Sequence, residues 1–421
     1  MKAVLESGSF HTRGIQTSNN SVEINISGSK SESNRLLILQ AQFHNISIEN
    51  LSDSDDTEVL KKGLQVGNGE VDVHHAGTAM RFLTAYFAVK EGAEITLTGS
   101  KRMQERPIAI LVDALRSIGA EIEYLKNDGF PPLKIKGRNL QKTNVSIQSN
   151  VSSQYISALM LVAPMLQNGL NVKLEGKTTS LPYIEMTLSL MTRIGVKAQF
   201  NKNEITISST KNIQDISLVV ESDWSSASYF YSLVALSGVN AINKIVLKSY
   251  IQGSIQGDAA LDEIYRALGV KTVFNDVEKS ITISKIETRL PDCLSFDLSN
   301  TPDLAQTISV SCFGLGIACK LTGLHTLKIK ETDRLLALKT ELEKLGATVE
   351  VDENSLTLKR ATSIKTNAVI ETYQDHRMAM AFAPLFLKTN LTINNAEVVS
   401  KSYPNFWNDL QKFGIDLALI P

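Results

Sequence analysis

Apolar residues along this chain fall into two kinds of run that recur in a fixed order. Alternating stretches such as Val22-Glu23-Ile24-Asn25-Ile26 place every second side chain on one face and predict strands. Longer stretches such as Phe82-Leu83-Thr84-Ala85-Tyr86-Phe87-Ala88 predict apolar helices. Small polar residues suited to capping precede each such helix. They stand at Ser29-Lys30-Ser31-Glu32-Ser33-Asn34-Arg35, Gly77-Thr78, Val151-Ser152-Ser153-Gln154, Asp223-Trp224-Ser225-Ser226, Thr301-Pro302-Asp303 and Asp375-His376-Arg377. A second helix, closed by a glycine turn and followed by a strand, comes after most of them. It is visible at Ile118-Gly119-Ala120, Ile194-Gly195-Val196, Leu268-Gly269-Val270, Leu345-Gly346-Ala347 and Phe413-Gly414-Ile415, where glycine is the expected left-handed C-cap.

The spacing makes this a repeat. From Thr78 to Ser153, Ser226, Asp303 and His376 the intervals are 75, 73, 77 and 73 residues. From Ser31 to Thr78 the interval is only 47, so the first unit is truncated and predicted to lack most of its second half. From His376 to the end there are 45 residues, and the N-terminal segment supplies the balance, so the chain begins inside a unit. Six α+β units of this size suit two bodies of three, an α/β protein rather than a solenoid. Hinges are expected near Gly28 and near Glu221-Ser222. That gives a continuous domain, 29–221, and one assembled from both termini, 1–28 plus 222–421.

A length of 421 residues fits two large domains, and 43% apolar with 21% charged residues is a globular composition. Lys+Arg 43 against Asp+Glu 44 gives a formal net charge of −1, so no global basic excess points to nucleic acid. Cys293, Cys312 and Cys319 are odd in number without CxxC spacing, and read as reduced core thiols rather than a disulfide framework or zinc site. The first twenty residues contain no long apolar run, and Ile156–Leu166 and Val310–Ala318 fall short of the roughly 18 residues a membrane span needs. A soluble, cytoplasmic protein without membrane or nucleic-acid partners is expected.

Candidate chemistry gathers at the helix starts: Lys30, Arg35, Gly77, Thr78, Arg81, Ser152, Ser153, Gln154, Asp303, His376 and Arg377. Arg106, Tyr183, Lys401 and the run Lys330-Glu331-Thr332-Asp333-Arg334 lie on connecting stretches. A helix start offers unpaired N–H groups and the positive end of the dipole, and a fixed cation beside it completes an anion site. One such cation is an ordinary surface charge; recurrence at equivalent places in a repeat implies a cationic cleft for phosphate and carboxylate.

From about Ile24 to Trp407 the chain resembles the 3-phosphoshikimate 1-carboxyvinyltransferase (5-enolpyruvylshikimate-3-phosphate synthase) family of enolpyruvyl transferases. The motifs are Gly28-Ser29-Lys30-Ser31-x-Ser33-Asn34-Arg35, Ala76-Gly77-Thr78-Ala79-Met80-Arg81, Arg102-Met103-x-Glu105-Arg106-Pro107, Ser152-Ser153-Gln154, Lys330-Glu331-Thr332-Asp333-Arg334-Leu335 and Asp375-His376-Arg377-Met378-Ala379, in that order. The resemblance implies an inside-out α/β barrel in two domains, each of three βαβαββ units about a pseudo-threefold, with the active site in the cleft between them. It implies transfer of the enolpyruvyl group of phosphoenolpyruvate to the 5-hydroxyl of shikimate 3-phosphate through a tetrahedral ketal, with release of phosphate and no metal or organic cofactor. A monomer is expected.

By the same resemblance Lys30, Ser31, Arg35, Ser152, Ser153, Gln154, Ser180, Tyr183, Asp303 and Lys330 hold shikimate 3-phosphate. Lys30, Gly77, Thr78, Arg81, Arg106, Gln154, Arg334, Arg377 and Lys401 hold phosphoenolpyruvate. Asp303 is the expected base for the hydroxyl, Glu331 and Lys30 are the candidates for protonating the methylene carbon, and His376 orients its neighbours. The family usually has Asn at His75, Pro at Phe82 and often Asn at Thr326, and the departure at Phe82 is expected to alter glyphosate sensitivity. The rival is the sister transferase acting on UDP-N-acetylglucosamine, which uses a cysteine on a loop of the first body; here every cysteine lies beyond residue 290. A non-catalytic anion-binding relative would keep the cations without needing Asp303 and Glu331.

Overall fold

The computed structural model describes residues 1–7, 21–150, 152–176, 178–238 and 244–421. Residues 8–20, part of the stretch read above for a leader, and Val151, ahead of the third helix start, lie outside the described residues.

The described strands form six small sheets, and five share one arrangement. In the Gly77 unit, strand Gly69–Asp72 crosses through helix Gly77–Val89 to its parallel partner Glu94–Thr98. Helix Ala109–Ser117 then leads to the hairpin Glu121–Tyr124 and Leu133–Lys136, whose second strand pairs antiparallel with Glu94–Thr98. This is βαβαββ. The same pairing recurs for Asn144–Gln148, Leu170–Glu175, Ala198–Asn201 and Glu204–Ile207. It returns for Cys293–Asp297, Ala318–Thr322, Val349–Val351 and Leu356–Leu358.

The other three units take a strand from elsewhere in the chain. The last pairs Ala368–Ile370 with Leu391–Asn394, and the N-terminal strand Lys2–Leu5 inserts between Leu391–Asn394 and Leu417–Ile420. The remaining two exchange their first strands. Ser21–Ile24, which precedes the Lys30 helix, pairs with Lys244–Lys248 in the Trp224 unit, whereas Ile216–Val219, which precedes the Trp224 helix, pairs with Ile46–Glu49. The exchange occurs where the chain passes between two compact units, 28–220 and 1–27 plus 221–421.

Gly28 stands at one passage. A Cβ there would lie 1.9 Å from the Asn50 carbonyl oxygen and 2.8 Å from Val220 Cγ1, so the backbones approach too closely for a side chain. Asn50 Nδ2 fastens the same place by donating to the Val220 carbonyl at 2.8 Å. In the other unit Ser222 Oγ donates to the Ile26 carbonyl at 2.5 Å.

The Lys30 unit is short, as its 47-residue interval requires, and has a sheet of two strands. It retains its second helix, Asp55–Leu64, capped by the Ser54 side chain, so the missing part is the antiparallel hairpin rather than most of the second half. The sequence marks this helix weakly: only Val59, Leu60 and Leu64 are apolar within it, and no glycine follows it directly.

In each of the two compact units the apolar helices lie inside and touch one another: Lys30–Gln42, Gly77–Val89 and Ser153–Val162 in one, Trp224–Leu236, Ala305–Leu315 and His376–Phe382 in the other. Twelve of the thirteen residues of Gly77–Val89 are buried, which is why its sequence is apolar on every face. The five expected glycine turns, at Gly119, Gly195, Gly269, Gly346 and Gly414, all have positive φ. Two thiols are core as expected, Cys312 and Cys319; Cys293 is exposed, at the end of the strand Cys293–Asp297. Among the described residues no helix is long and apolar enough to cross a membrane.

Candidate active site

Side chains cap only part of the helix starts. Ser152, Asp223 and Asp375 accept backbone N–H bonds in their first turns, whereas the Lys30 and Gly77 helices begin without a side-chain cap. Both first turns carry the positive end of a helix dipole; the Lys30 helix has Glu32 in its first turn, and the Gly77 helix has no acidic side chain there.

In the 28–220 unit the expected residues form connected groups. The Arg106 guanidinium lies against Gly77, where a Cβ would meet its Nη1 at 2.6 Å and Nη2 at 2.9 Å; glycine is what lets this cation rest on the helix start. Gln154 Nε2 donates to Thr78 Oγ1 at 3.2 Å, joining the second and third helix starts. Arg81 is turned inward: it donates to the carbonyls of Gly77 and Pro107, both at 3.1 Å, with its guanidinium over the Tyr155 ring. Tyr155 Oη also donates to the Pro107 carbonyl, at 2.6 Å, so Arg81 and Tyr155 together fix the segment that carries Arg106.

Arg35 is buried, and burial lowers it to about 10, which leaves it protonated at neutral pH. Its donors go to Thr187 Oγ1 at 2.7 Å, the Ser31 carbonyl at 2.7 Å, Ser157 Oγ at 3.0 Å and the Tyr183 carbonyl at 3.3 Å. Four of its N–H groups are thus used in binding the Lys30, Ser153 and Leu181 helices together, and a guanidinium has five. Ser180 begins the Leu181–Arg193 helix in a left-handed conformation, φ 54°, two positions before Pro182. Lys30 Nζ pairs with Asp56 Oδ2 at 3.1 Å, a carboxylate supplied by the helix Asp55–Leu64.

In the other unit three helix starts meet at one guanidinium. Arg377, in the first turn of its helix, donates to Asp303 Oδ2 at 3.3 Å and to Ser225 Oγ at 3.2 Å, side chains at the starts of the Ala305 and Trp224 helices. Asp303 also accepts from Arg334 Nη1 at 2.8 Å and pairs with Lys330 Nζ at 3.5 Å. Burial alone would raise the Asp303 carboxyl, but Arg377, Lys330 and Arg334 together hold it far below the usual carboxylate range. Arg334 is almost fully buried; it donates to Glu331 Oε2 at 2.8 Å and, through Nε, to Asp375 Oδ2 at 2.6 Å. Burial opposes its charge, and Asp375, Glu331 and Asp303 outweigh that and keep it protonated. Burial lowers Lys330, partly offset by Asp303. Lys401 reaches the Gln374 carbonyl at 2.6 Å, next to the start of the His376 helix, and His376 is buried beside Asp375.

Sequence reasoning missed Asp375 as a partner of Arg334, although it recognised Asp375 as a cap: one oxygen accepts the Arg377 N–H at 2.9 Å and the other takes Arg334. It missed Ser157 and Thr187, since hydroxyls within helices carry no pattern that marks them as partners of a buried arginine. Among the described residues no cluster of three or more His, Cys, Asp or Glu side chains suits a metal ion.

Repeated α/β units with arginines and lysines massed at helix starts define a protein that binds small, multiply charged anions. Residues 61–410 match the family model for EPSP synthase, 3-phosphoshikimate 1-carboxyvinyltransferase. A 3-phosphoshikimate 1-carboxyvinyltransferase of Bacteroides fragilis is 45% identical, covering 94% of this chain and 96% of that protein. One from Shewanella pealeana is 36% identical, over 91% and 95%. A solved EPSP synthase from Acinetobacter baumannii superposes with a TM-score of 0.75 over 99% of this chain and 100% of that one; at 19% identity it speaks for the fold. The chain belongs to the EPSP synthase family.

Proposed function

We propose that this protein transfers the enolpyruvyl group of phosphoenolpyruvate to the 5-hydroxyl of shikimate 3-phosphate, releasing phosphate, as a cytoplasmic monomer. The observation that carries the mechanism is Asp303 held among Arg377, Arg334 and Lys330. So many cations around one carboxylate suit a site that is later to receive phosphate and carboxylate.

In this reading Arg106, resting on Gly77, binds phosphoenolpyruvate with Lys30, Thr78, Gln154, Arg334, Arg377 and Lys401. Arg81 belongs to the same group by holding the Arg106 segment in place. Ser31, Arg35, Ser152, Ser153, Gln154, Ser180, Tyr183, Asp303 and Lys330, with Lys30, hold shikimate 3-phosphate.

Chemistry then needs three things. A proton is added to the methylene carbon of phosphoenolpyruvate, the 5-hydroxyl oxygen attacks the neighbouring carbon, and Asp303 takes the hydroxyl proton. The ketal collapses as the new methyl group returns a proton and phosphate leaves. Asp303 in its ion-paired state is a weak base; ligand anions that draw Arg377 and Arg334 toward themselves raise its basicity when the hydroxyl is in place. Glu331, on Arg334, and Lys30, on Asp56, are the two candidates for the donor to carbon.

A phosphate-release assay tests the reading. Release requires both substrates together; release with UDP-N-acetylglucosamine in place of shikimate 3-phosphate, or none with either acceptor, overturns it. Loss of methyl-proton exchange in Glu331→Gln but not Lys30→Met, or the reverse, identifies the donor. Light scattering of the purified chain tests the monomer.

A further inference from the structure

Asp258 has no place in the reaction as set out above, yet it sits next to it. It lies in the short 3-10 helix Gly257–Ala260 and is 5% exposed. Its Oδ2 accepts a short hydrogen bond from Ser225 Oγ. Its Oδ1 is buried without a hydrogen-bond partner among the described residues. A buried carboxylate left half-satisfied is costly unless something nearby uses its charge. The nearest use is one step away, because Ser225 Oγ also accepts from Arg377 Nη2 at 3.2 Å. The Ser225 hydroxyl has one proton: given to Asp258, it leaves the lone pairs for Arg377. Asp258 thereby fixes the direction of that hydroxyl.

We infer that Asp258 is a positioning residue for Arg377, acting through Ser225 to hold the guanidinium where it receives the phosphoenolpyruvate anion; this rests on the assignment of Arg377 proposed above. Asp303 holds the same guanidinium, its Oδ2 accepting from the same Nη2 at 3.3 Å and its carbonyl from Nη1 at 3.4 Å. The pair of anchors differs in kind. Asp303 is committed to chemistry and must release Arg377 in part, whereas Asp258 stays buried and keeps its grip through the cycle. Its ionisation feels the arrangement: burial raises the carboxyl to about 6, Asp303 adding to the rise and Arg377 opposing it. The motif Gln256-Gly257-Asp258 belongs to the same scaffold, since Gln256 Oε1 accepts the Trp224 N–H at 3.0 Å and so sets the start of the helix that carries Ser225.

The test compares steady-state kinetics of the purified full-length protein with Asp258→Asn, Ser225→Ala, the double variant and Arg377→Lys, each with a melting curve. Loss of one hydrogen bond to a charged group predicts a KM for phosphoenolpyruvate raised about tenfold in Asp258→Asn, with the KM for shikimate 3-phosphate and kcat moved far less. Ser225→Ala, at a partly exposed site, gives a similar rise; it also takes the hydrogen bond from Asp258 Oδ2, and its melting curve reads that cost separately. The double variant is no worse than the more severe single one, because both break one link. An unchanged KM for phosphoenolpyruvate in both single variants, additive effects in the double, or equal losses in every parameter with a lowered melting temperature overturns the inference. If Arg377→Lys also leaves that KM unchanged, the assignment of Arg377 falls with it; if Arg377→Lys raises it, only the role of Asp258 falls.

Discussion

The Phe82 ring lies 5.5 Å from the Arg35 guanidinium carbon, and both side chains are buried. Phe82 belongs to the helix that begins at Gly77, so a residue assigned to shikimate 3-phosphate is packed against the helix that carries part of the phosphoenolpyruvate set. Replacing it by leucine removes a desolvated cation–π contact of about 2 kcal/mol and loosens Arg35. The expected outcome is a lower melting temperature, a several-fold higher KM for shikimate 3-phosphate and a shifted glyphosate inhibition constant. Phe82→Pro is the sharper change, the one suggested by the family resemblance, but within this helix it removes a hydrogen bond at a cost of about 3 kcal/mol. Its inhibition titration therefore has to be read beside a melting curve. Unchanged inhibition in both variants would remove Phe82 from any role in glyphosate sensitivity.

Gly77 offers a cleaner displacement. The atoms a methyl group there meets first all belong to the far end of Arg106, at 2.6 Å from Nη1 and 3.0 Å from Cζ. The guanidinium can swing away, so Gly77→Ala is expected to fold with an unchanged melting temperature. A shift of about 1 Å in a substrate-holding group costs up to about 100-fold, and the loss falls on KM for phosphoenolpyruvate. Steady-state kinetics with each substrate varied in turn checks it; an equal loss for both substrates would count against Arg106 as a phosphoenolpyruvate ligand.

Much of this was legible from the chain, for reasons specific to repeats. The inner helices are buried on all sides, so their sequences are apolar throughout and their starts stand out at intervals of 73 to 77 residues. The glycine turns are legible because left-handed backbone nearly requires glycine. The strand exchange between the Lys30 and Trp224 units was not legible, since Ser21–Ile24 and Ile216–Val219 carry the same alternating pattern and nothing in it names a partner. Nor were the interior polar partners. Asp56, Asp375 and Asp258 are aspartates among many, and only the fold shows that the first two pair with Lys30 and Arg334 and the third accepts from Ser225.

Asp303→Asn separates charge from shape. As the proposed base, its loss should lower kcat by about 100- to 10,000-fold. Stability changes with a definite sign. The Asp303 carboxyl is held below its unfolded value, so its stabilising contribution is complete above about pH 4 and fades as pH falls through the depressed value. The variant should therefore melt earlier than the parent at pH 7, with the gap closing in acid. Added phosphate should narrow the gap at pH 7 by supplying an anion to Arg377, Arg334 and Lys330. A melting series against pH, with and without phosphate, decides it.

Gly28→Ala tests the passage between the two units by sterics alone. The added carbon would overlap the Asn50 carbonyl oxygen at 1.9 Å, a backbone atom that cannot swing aside. Overpacking of this kind costs about 3 kcal/mol, and the strands on either side of the passage are paired, so little of that strain can be relieved. A markedly lower melting temperature or insoluble expression is expected; normal melting would mean the passage is looser than the geometry shows.

Glu221, at the second passage, should behave in the opposite way from Asp303. It is buried, with Oε1 accepting from Trp224 Nε1 at 2.8 Å and from the Ile251 N–H at 3.2 Å, and Oε2 accepting from Ser254 Oγ. Burial raises its carboxyl, and these hydrogen bonds only partly offset the rise. A carboxyl raised on folding favours the native state most when protonated, so that benefit is complete below its unfolded value and is lost as pH rises through the folded one. Glutamine keeps an oxygen for Trp224 and Ile251, and its amide can donate to Ser254 Oγ, whose lone pairs then serve as acceptor; what is given up is the long contact from Gln256 Nε2 at 3.5 Å, a donor that keeps the Ser222 carbonyl at 2.9 Å. Glu221→Gln should thus melt at or above the parent temperature at pH 8 and lose that advantage below about pH 4, where both side chains are neutral. A variant that melts well below the parent at pH 8 would show that the ionised carboxylate itself holds this passage together.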